Sequence, residues 1–157
     1  MYNHAPKNYQ CPFCKIVLWI KDHFVDTTKE EIIYKDDFIT AFISSLSYPN
    51  NKWHILIIPN RHFENLYNLP NYLSNHIHKL ERKIAILLKD LYKCDWITIR
   101  QNNEPAWEQD VWHYHIHIIP RYKNDNLWES KLEKVSLEER LYYADKFRNR
   151  IKDWQRR

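Results

Sequence analysis

From Asn71 to Lys93 the apolar residues Leu73, Ile77, Leu80, Ile84, Leu88 and Leu91 recur at steps of three and four, the period of a helix that buries one face. Upstream the pattern changes. EEIIYKDDFITAFIS predicts two strands broken at KDD, and KWHILIIP predicts a β-branched strand stopped by Pro59. NRHFENLYNLP reads as a loop with a short helical turn. Downstream, DWITIRQ (95–101) and WHYHIHIIPRY predict strands, with the Asn-rich segment NNEPAWEQDV looping between them. SLEERLYYADKFRNRIKDW predicts a closing helix over 136–155, with Ser136 as N-cap and Glu139 completing a capping box. Strands, a long central helix, more strands and a last helix imply an α+β domain on an antiparallel sheet. A polar arm covers 1–10, and no repeat or linker divides the chain, so 1–157 reads as a single domain.

At 157 residues and 44% hydrophobic content the chain can build one real core. No apolar run approaches the roughly 18 residues of a bilayer span, and the polar start lacks the layout of a secretory signal; a cytoplasmic protein without membrane contact is expected. The net charge of +4 is mild. Basic residues gather only in KFRNRIKDWQRR, which reads as a solvated helix face; nucleic acid is not an expected partner, whereas an anionic small molecule is.

Glycine is absent, where average usage would supply roughly eleven. Phosphate-cradling glycine loops are therefore excluded, and any phosphate must be held by side chains and ordinary backbone amides. Turns fall to Asn, Asp and Pro, as in YPNN, QNNEP and YKNDN.

Two motifs carry chemistry. In a strand, alternate residues share a face, so His113, His115 and His117 point one way and Tyr114, Ile116 and Ile118 the other. Neighbouring imidazoles would lie about 6.5–7 Å apart and the outer pair about 13 Å, too far for all three to ligate one metal ion. A division of labour is expected instead, with His54 on another predicted strand nearby. Neutral imidazole can act as a nucleophile toward phosphorus or as an acid or base, which predicts activity falling as pH drops through about 6.5. The second motif, CPFC, spaces Cys11 and Cys14 as two thiolates on one zinc ion or as a redox dithiol; no βαβ setting accompanies it, which favours metal. Cys94, isolated before a strand, reads as an ordinary core residue.

HYHIHIIPR resembles the His-x-His-x-His-x-x pattern of the histidine triad (HIT) superfamily of nucleotide hydrolases and transferases. CPFCKI, DDFITAF, WHILIIPNRHFENL and NNEPAWEQDVWHYHIHIIPR follow the order of that family's segments, so the resemblance spans most of the chain. It implies a HIT-like fold: a five-stranded antiparallel sheet, one long central helix and a C-terminal helix. It implies His115 as the nucleophile at the α-phosphorus, His117 as donor to a non-bridging oxygen and His54 as support for the triad. Asn102 and Gln109 would face the phosphates. Asp110 falls where phosphoramidase members often carry serine near the leaving group. Phe13, Ile16, Phe42 and Ile43 match an apolar base pocket, although each could equally be plain core. Ser44 stands where many members place an acid that grips the ribose. Glu108 replaces a family glycine, and Trp107 and Trp112 add bulk.

Zinc-bearing members imply a structural site of Cys11, Cys14, His62 and His113. The resemblance also implies a homodimer and a purine-nucleotide substrate, either a phosphoramidate or a dinucleoside polyphosphate. Two other readings share these residues: nucleotidyl transfer to phosphate or a sugar phosphate, and a non-catalytic zinc-stabilised nucleotide-binding module. The triad ends in His117 rather than the glutamine of the uridylyltransferases, which favours hydrolysis.

Overall fold

The computed structural model of the chain describes residues 2–21 and 25–155. Its architecture is α+β. Helix α1 (Pro12–Leu18) precedes strands β1 (Ile32–Lys35), β2 (Ile39–Ile43), β3 (Leu46–Ser47) and β4 (Ile55–Pro59). Then come the long helix α2 (Asn71–Tyr92), strands β5 (Trp96–Arg100), β6 (Ile116–Arg121) and β7 (Glu133–Lys134), and the closing helix α3 (Leu137–Gln155). Five strands form an antiparallel sheet in the order β1-β2-β4-β6-β5, while β3 and β7 pair as a separate two-residue ribbon.

The sheet has two unlike faces because β residues alternate. On one face Ile39, Ala41, Ile43, Ile55, Ile57, Ile116 and Ile118 meet Leu73, Ile77, Leu80, Ile84, Leu87 and Leu88 of α2, as the helical period predicted; Cys94 and the α3 residues Ala144 and Phe147 join this core. Each of these large apolar side chains contributes about 1.5–3 kcal/mol on burial. The other face is covered by α1, whose Phe13 and Ile16 pack with Cys11, Ile32, Phe42, Leu56 and Ile58. Directly paired residues share a face, so the register Ile32↔Phe42, Phe42↔Leu56, Leu56↔His117 and His117↔Arg100 lays one row across all five strands.

The KDD break is a turn: the Asp36 carboxylate accepts from the Phe38 and Ile39 amides, both at 2.8 Å. The predicted cap of α3 holds in half. Ser136 accepts from the Glu139 amide at 3.2 Å, but the Glu139 carboxylate turns to Lys52 at 2.9 Å and to the Tyr143 hydroxyl at 2.8 Å. Fully buried Arg140 locks α3 down, with Nε 2.5 Å from the buried Glu31 carboxylate and Nη1 donating to the Val135 carbonyl at 2.7 Å. Arg156 and Arg157 of the basic C-terminal run lie outside the described residues. Among the described residues no helix is long and apolar enough to cross a membrane.

The predicted strand WHYHIHIIPRY begins later than its pattern suggests. β6 starts at Ile116, so His113 and His115 precede it in irregular backbone. Pro59 is the reason. The register Ile57↔Ile116 would next bring Tyr114 beside Pro59, which has no N–H to continue the ladder, and the Tyr114 amide bonds instead to the Phe63 carbonyl at 2.5 Å. His54 likewise stands one residue ahead of β4.

Without glycine, left-handed backbone falls to residues that carry a Cβ: Asn8, Trp19, Trp53, Lys93, Glu104, Glu108, Asn124 and Asn126 all have positive φ. Lys93 closes α2 at φ 52 and ψ 32, the position where glycine is the usual residue. Its side chain is exposed. Lys93→Gly is therefore expected to stabilise the protein by about 1 kcal/mol, raising Tm by roughly 2–4 °C in a thermal melt. An unchanged or lowered Tm would show that the left-handed cap carries no strain.

Candidate active site

The histidines sit where β4 and β6 diverge. The His115 Nδ1 lies 2.7 Å from the His113 carbonyl, and since a carbonyl only accepts, Nδ1 carries the proton. That leaves a lone pair on Nε2. The same reasoning runs along a second chain: His54 Nδ1 donates to the Leu46 carbonyl at 3.2 Å, so its Nε2 accepts from Nδ1 of His117 at 2.8 Å. Neutral His117 then also presents a lone pair at Nε2. The His115 and His117 ring centroids are 4.7 Å apart, closer than an ideal strand would place alternate residues.

Burial dominates the titration of these rings. It pushes His115 down to about 4 and His54 down to about 3, and pushes His117 further down. Positive charge on Arg100 acts in the same direction on all three. The neutral form of His115 thus persists well below the pH 6.5 expected for an ordinary imidazole.

Cys11, Cys14, His62 and His113 converge, their candidate ligand atoms all within 4.8 Å of one another. Nδ1 of His113 is 3.3 Å from Cys11 Sγ and 3.6 Å from Cys14 Sγ, and Nδ1 of His62 is 3.4 Å from Cys14 Sγ. A tetrahedral zinc site has S···N edges of about 3.6 Å, so the donor set fits that ion. His113 Nε2 donates to the Pro59 carbonyl at 3.0 Å, which orients the ring and leaves Nδ1 free to ligate. The Cys14 thiol, with His113 and His62 beside it, holds the Cys11 thiol well below its ordinary range, favouring thiolate. Helix α1 aims the pair, with Cys11 as its N-cap and Pro12 at its first position.

The loop from Asn102 to Asp110 is tightly clamped. Glu104 sits at φ 67 and ψ 160, a region essentially reserved for glycine, and Glu108 at φ 60 and ψ 37. Gln109 accepts from the Glu104 amide at 2.8 Å and donates to the carbonyls of Glu64 at 2.6 Å and Val111 at 3.2 Å. Both ends of its amide are thus spent on backbone, so Gln109 shapes the loop in this structure rather than facing a phosphate. The N-terminal arm adds His4, whose ring is 3.1 Å from the Glu104 carboxylate, while the Tyr67 hydroxyl donates to the other oxygen at 2.8 Å. Asn102 is buried and donates to the Glu108 carbonyl at 3.3 Å, but its Oδ1 has no partner. Asp110 is exposed and close enough to His115 to act on it electrostatically. Trp107 is exposed, and Trp112 packs against the His4 ring at 5.9 Å.

Of the four apolar candidates, Phe13, Ile16 and Phe42 lie on the histidine face. The Phe13 ring meets Phe42 at 5.7 Å and His115 at 5.2 Å. Ile43 does not join them: one residue on from Phe42, it points to the opposite face and is core beneath α2. Ser44 is buried near them, its Oγ accepting from the Leu46 amide at 3.2 Å, which leaves its hydroxyl proton available. Arg100 is the residue the sequence reading missed. It lies beside His117 in the β5–β6 register, with Nη1 donating to the Tyr48 hydroxyl at 3.4 Å and a buried Nε without a partner. A basic residue ending a strand carries no motif, so only the register could reveal it.

Comparison with known proteins places the sequence and the fold in one family. The HIT domain model matches residues 26–124. An uncharacterized HIT-like protein of Borreliella burgdorferi is 32% identical over 132 residues, covering 83% of this chain and 88% of that one. A bis(5'-adenosyl)-triphosphatase of Saccharomyces cerevisiae is 33% identical over 107 residues, 68% of this chain and 51% of the yeast protein. Among solved structures, a Hit-like protein from Bartonella henselae superposes with a TM-score of 0.74 at 28% identity, covering 93% of this chain and 98% of that one. A Zn-bound histidine triad family protein from Mycobacterium smegmatis gives 0.73 at 23% identity, over 92% and 96%. With the matched model spanning more than half its length and the histidine segment standing inside the match, the chain belongs to the HIT domain family.

Proposed function

We propose that this protein is a HIT hydrolase that cleaves purine nucleotides at the α-phosphorus, acting on phosphoramidates or dinucleoside polyphosphates through a nucleotidyl-histidine intermediate. The observation that carries this reading is the state of His115: buried, neutral, Nδ1 tied to the His113 carbonyl and Nε2 left with its lone pair. Nε2 attacks phosphorus, a P–N bond forms, and the bond to the leaving oxygen or nitrogen breaks as that atom keeps the electron pair and takes a proton from solvent. Water then adds to phosphorus, the P–N bond breaks, the electron pair returns to the ring, and the water proton is released. His117 becomes a donor once the phosphate's negative charge favours its protonated form, with Nε2–H on a non-bridging oxygen and Nδ1–H still on His54. Asn102 lines the phosphate side. Phe13, Ile16 and Phe42 receive the base and Ser44 a ribose oxygen.

Cys11, Cys14, His62 and His113 would hold zinc, which ties α1 and the His62 turn to the segment that precedes His115. Because α1 and α3, outside the matched segment, pack on the same sheet, the whole of 1–157 acts as one HIT domain. We place it in the cytoplasm as a homodimer that pairs through β5, one of the two edge strands, which carries exposed Trp96 and Ile99.

His115→Ala is expected to abolish the labelled covalent nucleotide adduct trapped by acid quench and to lower kcat about 10³-fold or more. Turnover by the variant at the wild-type rate would refute His115 as the nucleophile, whereas a wild type that binds nucleotide with neither turnover nor adduct would leave the binding module as the surviving reading. Stripping zinc with a chelator, or Cys14→Ser, is expected to lower Tm by roughly 6 °C or more, equivalent to about 3 kcal/mol. Metal loss with no change in Tm would remove the structural assignment.

A further inference from the structure

Beyond His117 the row that crosses the sheet ends at Arg100, on the wall of a cavity of about 680 Å³ lined by Tyr48, Arg100, Asn102, Trp107, Trp128 and Lys131 among others. Its size suits one drug-sized or nucleotide-sized group. Its chemistry differs from that of the Phe13–Phe42 end. Two large indoles stand 70% (Trp107) and 66% (Trp128) exposed. Trp128 is also positioned: the Arg121 guanidinium sits 5.5 Å from its ring centroid, and that guanidinium is itself held by Asp125 at 2.6 and 2.8 Å. One ring face is thus braced while much of the indole stays in solvent. Arg100 brings a cation whose Nε is buried without a partner, and the Asn102 Oδ1 is buried and unpartnered on the same wall. Glu108 is the one acid of the lining, so Arg100 and Lys131 leave the wall net cationic.

We infer that this cavity is the leaving-group subsite, built for a departing group that carries both a planar aromatic ring and negative charge, of which a nucleoside polyphosphate is the fitting class. The inference rests on the proposed function, because it takes His115 as the nucleophile. In-line displacement at phosphorus sends the leaving atom away from the attacking nitrogen. The row Phe42, Leu56, His117, Arg100 places an apolar pocket at one end and this cationic, indole-walled cavity at the other, about three strand spacings or 14 Å away. A base retained against Phe13 and Phe42 therefore leaves the second half of a dinucleotide to stack on Trp128, with its phosphates near Arg100. An amine leaving group would use none of this.

Two substrates sharing the same adenylyl half separate the possibilities: diadenosine triphosphate and adenosine 5'-phosphoramidate. The ratio of their kcat/KM values is expected to favour the dinucleotide in the wild type and to fall at least about ten-fold in Trp128→Ala and in Arg100→Gln. Calorimetry on His115→Ala gives a readout independent of turnover. There the dinucleotide is expected to bind at least about ten-fold tighter than AMP, with that advantage lost when Trp128→Ala is added. Turnover with an unchanged ratio and an unchanged affinity difference overturns the subsite and leaves the hydrolase reading intact. Absent turnover with the affinity advantage intact and Trp128-dependent overturns the hydrolase reading and with it the leaving-group role, leaving the cavity as a dinucleotide-binding site. If Trp128→Ala alters only the oligomeric state in sedimentation, the indole belongs to a subunit contact and the inference fails.

Discussion

The bond from His113 Nε2 to the Pro59 carbonyl is the constraint on which the site depends. Proline cannot donate, so the ladder between β4 and β6 ends there and the carbonyl is released to a side chain. That one acceptor decides which nitrogen of His113 is free, and turns Nδ1 toward the two cysteines. The His113 backbone carbonyl then fixes the tautomer of His115 two residues later. Two backbone acceptors therefore set two rings differently: Nδ1 of the first faces the sulfurs, and Nε2 of the second is left with its lone pair. A metal held by the first ring would stiffen the second without touching it.

Long-period features were legible in the chain itself. The apolar stripe of α2 had enough turns to define a face, and the alternating histidines and paired cysteines named the chemistry before any fold existed. Short-range geometry was not legible. Seven-residue α1 is too brief for periodicity, and its signals are only a capping cysteine and Pro12. The two-residue strands β3 and β7 have no pattern to read. Strand alternation separates Phe42 from Ile43, yet a pocket inferred by resemblance took both. Arg100 was hidden for the opposite reason: a charge on a strand reads as a solvated position, and its place beside His117 exists only in the register with β6.

Absence of glycine shapes the loop from Asn102 to Asp110. Glu104 and Glu108 occupy backbone that glycine would enter freely, at about 1–3 kcal/mol of strain each. Such strain persists only where surroundings over-determine it. Here Gln109 fastens the Glu104 amide, His4 and Tyr67 fasten its carboxylate, and the Glu64 carboxylate holds the backbone amides of His4 and Ala5. The N-terminal arm is consequently part of the loop's support. An amide that could have met a ligand is instead spent on rigidity, and in the proposed reaction donor work at the phosphate would fall more heavily on His117 and Arg100.

That shift makes the charge of the site conditional on what occupies it. Before substrate arrives, three neighbouring imidazoles are kept neutral by burial, with Arg100 opposing any further positive charge. Neutrality suits an attacking ring but not a donor. A phosphate group placed between His117 and Arg100 reverses the balance, since opposite charges about 4 Å apart at an effective dielectric near 20 attract by about 4 kcal/mol. That attraction opposes the field of Arg100 and, in the proposed reaction, would draw a proton onto His117 against the burial that keeps the free ring neutral, while His115, tied to a carbonyl, keeps its lone pair. In the proposed reaction the same kind of side chain would thus serve as nucleophile and as donor, because the substrate carries the charge that tells the two rings apart.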